Sequence, residues 1–143
     1  MTNPSEVLVV DAQNAMRELL VDCLQMKGVP AITAMNGAEA YRLLEERALA
    51  RGPAFLAVVS DWVMPVLDGL GLLHRIRSGE FQWLPFVLIS GAVSITELRA
   101  AVKYGPDAVL LKPFAVDALY DKVHEAAAAR ARKTLSERVA RTR

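Results

Sequence analysis

The chain has 143 residues, 53% of them hydrophobic and 23% charged, which suits one globular domain and excludes a disordered chain. No apolar run approaches the roughly 18 residues that span a bilayer, the start MTNPSEVLVV lacks the basic lead of a secretory signal, and the lone Cys23 excludes an internal disulfide framework and suits a reducing cytosol. The net charge of +1 hides a split: residues 1–126 hold 11 Lys/Arg against 15 Asp/Glu, a balance of −4, whereas residues 127–143 hold six cations against Glu137, a balance of +5.

In chain order, the first element is a strand over 6–10, EVLVV, which runs straight into Asp11. A helix follows, with Met16, Leu19, Leu20, Cys23 and Leu24 spaced by threes and fours to form one buried face, and Gly28 stops it. PAITAM (30–35) is the second strand. Asn36 and Glu39 then have the cap-and-third-residue spacing that opens a helix over about 37–50. AFLAVVS (54–60) is a third strand leading into Asp61, and a helix covers 69–78. PFVLIS (85–90) ends in Ser90; Ser94 and Glu97 open a helix over 95–104 that Gly105 stops. DAVLL (107–111) leads into Lys112, and the last helix starts at 115. These strands are continuous apolar runs, the mark of parallel strands covered on both faces.

Five βα units in succession predict right-handed crossovers and a doubly wound α/β sheet with helices on both faces. Such sheets bind ligands beyond the carboxyl ends of their strands. Asp11, Asp61, Ser90 and Lys112 all fall there. Singly, each has an ordinary explanation: a post-strand aspartate as a turn former, Ser90-Gly91 as a turn, Lys112 as a solvated charge. Together they are two carboxylates, a hydroxyl and an ammonium, a hard-oxygen set suited to Mg²⁺ and phosphate. A carboxylate is a usable nucleophile toward phosphorus once cations neutralise the incoming charge.

VLVVD ending at Asp11, SDWVMPVLDGL around Asp61, VLIS ending at Ser90 and LLKPF around Lys112 stand in one order at these spacings. Over roughly residues 5–127 the sequence therefore resembles the receiver domain of bacterial two-component response regulators, proteins of the chemotaxis-regulator type. The resemblance implies a flavodoxin-like five-stranded sheet of strand order 2-1-3-4-5. It implies that Asp61 is the phosphoacceptor for a sensor histidine kinase or phosphotransfer protein, with Ser90 and Lys112 contacting the bound phosphoryl. Asp11, Asp61 and the backbone carbonyl of Val63 are the implied Mg²⁺ ligands, and Lys112–Pro113 is the implied cis peptide. A cytoplasmic switch follows, read by a downstream protein or an output domain, with no catalysis beyond its own phosphoryl transfer and dephosphorylation.

Two positions depart from the family pattern. Ala12 stands where a second acidic residue usually follows the first, so Mg²⁺ binding is expected to be weak, unless the neighbouring Gln13 offers an amide oxygen. Val109 stands where many receivers carry the Tyr or Phe whose rotation reports phosphorylation, and Tyr104 is at the wrong position to replace it. Both departures favour a rival reading, a pseudo-receiver that binds partners without phosphorylation. A haloacid-dehalogenase-type phosphatase needs an aspartate two residues after the nucleophile, and position 63 is Val.

The remaining residues read as structural. Cys23 belongs to the core, His74 and His124 to solvated helix surfaces, and Trp62 to a lid, a partner contact or plain packing. Residues 1–127 are expected to form the receiver and 128–143 a basic helical extension, either of a stand-alone receiver or at the start of a linker to an output domain. From 115 to about 138 a helix would run roughly 36 Å, too long for the sheet to cover, so its second half should project. Leu135 and Val139 continue a sparse apolar stripe there, suiting a second copy of the chain or a following domain. Neither nucleic acid nor membrane is an expected partner.

Overall fold

The computed structural model describes residues 4–91 and 94–142; Arg143, the last of the tail cations, lies outside them. The element order is β1 (Val7–Val10), α1 (Asn14–Gln25), β2 (Ala31–Ala34), α2 (Gly37–Leu49), β3 (Ala57–Asp61), α3 (Gly69–Ser78), β4 (Phe86–Ser90), α4 (Ile95–Val102), β5 (Ala108–Leu111) and α5 (Val116–Arg141). The five strands form one parallel sheet in the order β2-β1-β3-β4-β5. This is the expected doubly wound, flavodoxin-like architecture.

Period-two alternation along each strand divides the core. Val7, Val9, Val59, Val87 and Ile89 pack with Leu20, Cys23 and Leu24 of α1 and Leu119, Val123 and Ala126 of α5. Leu8, Val10, Val58, Phe86 and Leu88 face the other way, onto Ala40 and Leu44 of α2, Leu72, Leu73 and Ile76 of α3, and Ala101 of α4. The helix starts follow the sequence signals: Asn36 Oδ1 accepts from the Glu39 N–H at 2.9 Å and Ser94 Oγ from the Glu97 N–H at 3.1 Å. Gly28 (φ 76°) and Gly105 (φ 85°) adopt the left-handed backbone that ends α1 and α4.

One expectation for α1 fails. Leu19 is 51% exposed, while Leu20, Cys23 and Leu24 are buried and Met16 packs against them. At 100° per residue Leu19 lies on the rim of that stripe, where it misses the sheet. Cys23 is a core residue, and His74 and His124 are exposed, as the sequence implied.

The long helix departs more instructively. α5 runs 26 residues without a break, about 39 Å, and its anchored face extends to Arg130, which is buried. Asp107, just before β5, holds it there. The Asp107 carboxylate, wholly inaccessible, accepts from Arg130 Nε, from Arg77 Nη2 at 2.8 Å and from the Phe86 N–H at 2.8 Å. Arg77 also donates to the Leu84 and Gly105 carbonyls. Burial lowers its pKa to about 10, which leaves it cationic at neutral pH. Free projection thus starts after this cluster: every residue from Leu135 to Arg141 is exposed.

Candidate functional site

Sheet register brings the four polar residues within two residues of one level. Val10 pairs with Ser60, Asp61 with Ile89 and Ser90 with Leu111, so Asp11 and Asp61 are level, Ser90 is one residue further along and Lys112 two. The ladder continues one residue past the strands: Asp11 N–H donates to Ala34 O at 3.1 Å, Trp62 N–H to Ile89 O at 3.1 Å and Lys112 N–H to Ser90 O at 2.8 Å. Backbone pairing thereby fixes where these side chains begin.

Asp61 ends β3 with its side chain 17% exposed. Its Oδ1 accepts from the Trp62 N–H at 3.0 Å and from Lys112 Nζ at 3.4 Å. The second contact is long for a hydrogen bond, so it acts mainly through charge. Oδ2 takes no hydrogen bond among the described residues. The Lys112–Pro113 peptide is cis, as the resemblance implied. Ser90 is buried, and among the described residues its hydroxyl makes one weak local bond, to Gly91 O at 3.3 Å.

Asp11 is buried too. Its Oδ1 accepts from the Gln13 N–H at 2.8 Å, whereas its buried Oδ2 has no partner among the described residues. Burial pushes the carboxyl above its ordinary 3.8, and the Asp61 charge adds to the rise; the Gln13 N–H, Lys112 and Arg17 oppose it. An acidic oxygen without a donor, beside a second carboxylate, fits a cation. The donor set is sparse, however. Ala12 presents an exposed methyl, the Gln13 side chain caps nothing, and the described residues contain no group of three or more His, Cys, Asp or Glu suited to a metal.

The β3–α3 loop contributes features that sequence reasoning passed over. Gly69 donates its N–H to Trp62 O at 2.8 Å, and a Cβ there would lie 2.3 Å from the Asp61 carbonyl oxygen and 2.9 Å from Trp62 Cα. Only glycine lets α3 start against the backbone of Asp61. The Asp68-Gly69 pair was visible in the sequence, but only as a helix start. Val66, three residues past Val63, has φ 70°, and the Leu67 N–H donates to Pro65 O at 2.8 Å across it. This is a γ-turn with a β-branched residue at its strained centre. Val63 is 79% exposed on the same loop.

Two further placements bear on the site. Beside Lys112 a hollow of about 420 Å³ is lined by Met16, Leu19, Cys23, Pro113 and Phe114, so the exposed Leu19 shares a hollow with Lys112. Val109 is half-buried against the α2–α4 face of the core, and Tyr104 turns its ring edge-on to His74 at 6.4 Å. Trp62 is half-buried against the same core face.

The family model for the response regulator receiver domain matches residues 7–124. The chain is 29% identical over 120 residues to the chemotaxis protein CheY1 of Helicobacter pylori, covering 82% of this chain and 93% of that protein. It is 37% identical over 116 residues to the response regulator MprA of Mycolicibacterium vanbaalenii, covering 81% of this chain and 47% of MprA. Among solved structures, a response regulator receiver protein from Pseudomonas putida superimposes with a TM-score of 0.74 at 30% identity, covering 87% of this chain and 98% of that one. No described helix is long and apolar enough to cross a membrane.

Proposed function

The chain belongs to the response regulator receiver family of two-component signalling, and from that premise we propose that Asp61 accepts a phosphoryl group from a sensor histidine kinase or phosphotransfer protein in the cytoplasm. The observation that carries this reading is the approach of Lys112 Nζ to Asp61 Oδ1 at 3.4 Å. In the transfer, Asp61 Oδ2 attacks phosphorus, the phosphorus–nitrogen bond of a phosphohistidine breaks, and the nitrogen leaves with its electron pair. The product is an acyl phosphate.

Each group has a task in that step. Asp61 Oδ1 stays with the Trp62 N–H and Lys112, which leaves Oδ2 as the nucleophile. The Lys112 ammonium meets the charge of the transferred group, and the Ser90 hydroxyl, only weakly engaged, turns to donate to a phosphoryl oxygen. Asp11, Asp61 and the Val63 carbonyl would hold Mg²⁺. When bound, Mg²⁺ supplies positive charge opposite the phosphoryl oxygens, and Ala12 keeps its affinity low. Catalysis is confined to this protein's own phosphorylation and dephosphorylation, and the phosphorylated state alters binding of a downstream protein or output domain. The apolar hollow at Met16, Leu19 and Phe114 offers the phosphodonor a contact beside Lys112.

Ala12 and Val109 favour the second reading, a phosphorylation-independent interaction module. Mass spectrometry after acetyl phosphate treatment separates the two. A labile phosphate adduct that Asp61→Asn abolishes supports the first reading, and no adduct with ample Mg²⁺ supports the second.

A further inference from the structure

At the amino ends of the strands, the far end of the sheet from Asp61, an apolar groove of about 660 Å³ opens between α5 and the segments that lead into β3 and β4. Phe55, Trp83 and Leu84 line it from those segments, and Ala127 and Ala131 from α5. Arg130 lines it as well. Its side chain is only 10% exposed, yet it shares its carboxylate with a second arginine. Arg130 Nε donates to Asp107 Oδ1, while Arg77 Nη2 holds Asp107 Oδ2. Arg130 Nη1 reaches the Gln82 carbonyl only at 3.4 Å, and Nη2 has no acceptor among the described residues. A guanidinium this buried ordinarily has its donors filled, because an unmet polar group away from water is costly.

We propose that this groove is a binding site for a small apolar monocarboxylate, whose carboxylate pairs with the Arg130 guanidinium and whose hydrocarbon part lies along Phe55, Trp83, Leu84 and Ala131. Charge selects the anion. Arg77 and Arg130 share the single carboxylate of Asp107, which leaves that cluster one positive charge in excess. In the rest of the lining the exposed Arg138 is matched by Glu80, so the excess stands, and one negative charge removes it. A guanidinium fork suits a carboxylate in shape as well as sign. The walls select the apolar tail, since covering them removes hydrocarbon surface from water. A mostly apolar groove of this volume with a few polar groups to fix orientation is the usual form of a small-molecule site. Because it lies at the end of the sheet away from Asp61, the site does not rest on the phosphorylation reading.

The test reads Trp83 emission in the full chain carrying Trp62→Phe, which leaves Trp83 as its one tryptophan. Octanoate is the probe, with 1-octanol and octyltrimethylammonium as neutral and cationic counterparts of the same tail. Octanoate should bind saturably with a Kd of about 0.1–1 mM, as suits so small a ligand. Both counterparts should bind roughly tenfold more weakly or worse, for want of a charge-assisted hydrogen bond. Arg130→Gln should erase that preference; it leaves Asp107 paired with Arg77, so no carboxylate is stranded. Arg138→Gln, at an exposed position, decides the matter even if the first variant fails to fold, and should weaken octanoate about twofold to fivefold. Ala131→Glu, also exposed, should abolish binding, and unchanged circular dichroism verifies each fold. Octanol binding as tightly as octanoate, tighter binding of the ammonium, no saturable response below about 10 mM octanoate, or binding that neither arginine change alters would each overturn the proposal. So would an octanoate-resistant dimer in sedimentation velocity that Ala131→Glu disperses, since a second copy would then fill the groove.

Discussion

Lys112 Nζ lies 3.4 Å from Asp61 Oδ1 although β5 and β3 are not neighbours in the sheet; the two side chains meet over the end of β4, next to Ser90. The contact thus depends on three strands ending within one residue of one another. On the proposed phosphoacceptor reading, it puts positive charge in place for an incoming phosphoryl group.

Asp11 supplies a pH signature. Its folded-state carboxyl titrates above 3.8, chiefly through burial, so the unfolded chain gives up this proton at lower pH than the folded one. As pH rises through that window the folded state loses stability. Without Mg²⁺, Asp11→Asn should therefore be more stable than the parent in urea at neutral pH, with the advantage vanishing below pH 3.8. An equal or lower midpoint for the variant at neutral pH would refute this electrostatic reading of the site.

Ala12→Asp should tighten Mg²⁺ binding. Even outer-sphere losses at metal sites cost about 10–100-fold in affinity, and a direct carboxylate contributes at least as much. Trp62 quenching reports binding, read in a Trp83→Phe background because Trp83 sits at the far groove. Unchanged affinity would mean that Gln13 or water already fills the gap.

Val66 should be improvable. Its left-handed φ of 70° costs a β-branched residue about 1–2 kcal/mol, and its side chain is 83% exposed, so little packing is lost on replacement. Val66→Asn should gain about 1 kcal/mol, or roughly 2–4 °C in Tm for a chain of this size. A lower Tm would show that the valine side chain supports the loop.

The fold and most of the site were legible because they rest on local signals. Apolar runs ending in Asp11, Asp61, Ser90 and Lys112 specify both strands and strand ends, and the Asn36 and Ser94 caps mark helix starts. The Asp107 cluster was not legible, because its members lie 23 and 30 residues from Asp107 and each arginine alone reads as a surface charge. Leu19 was misplaced because spacing defines a stripe but not where the sheet stops covering it. Gly69 was seen as a helix start, since its close approach to Asp61 O exists only after β3 and α3 have packed.

Asp107→Ala should be severe. It strips the one carboxylate from Arg77 and Arg130, and breaking such a buried set costs about 3–5 kcal/mol. The double variant Arg77→Met/Asp107→Leu should recover part of that loss in urea unfolding, because it removes a stranded charge together with its partner. A loss below about 1 kcal/mol for Asp107→Ala, the range of an exposed pair, would contradict the burial of this cluster.

The central claim is that Asp61 is a working phosphoacceptor despite Ala12. Its most direct measurement is beryllofluoride binding with Mg²⁺, since this ion mimics the aspartyl phosphate without requiring turnover. Two-dimensional NMR of the labelled chain should show shifts centred on Asp61, Ser90 and Lys112 that are absent in Asp61→Asn. A spectrum unmoved by saturating beryllofluoride and Mg²⁺ would contradict the account and leave the phosphorylation-independent module in its place.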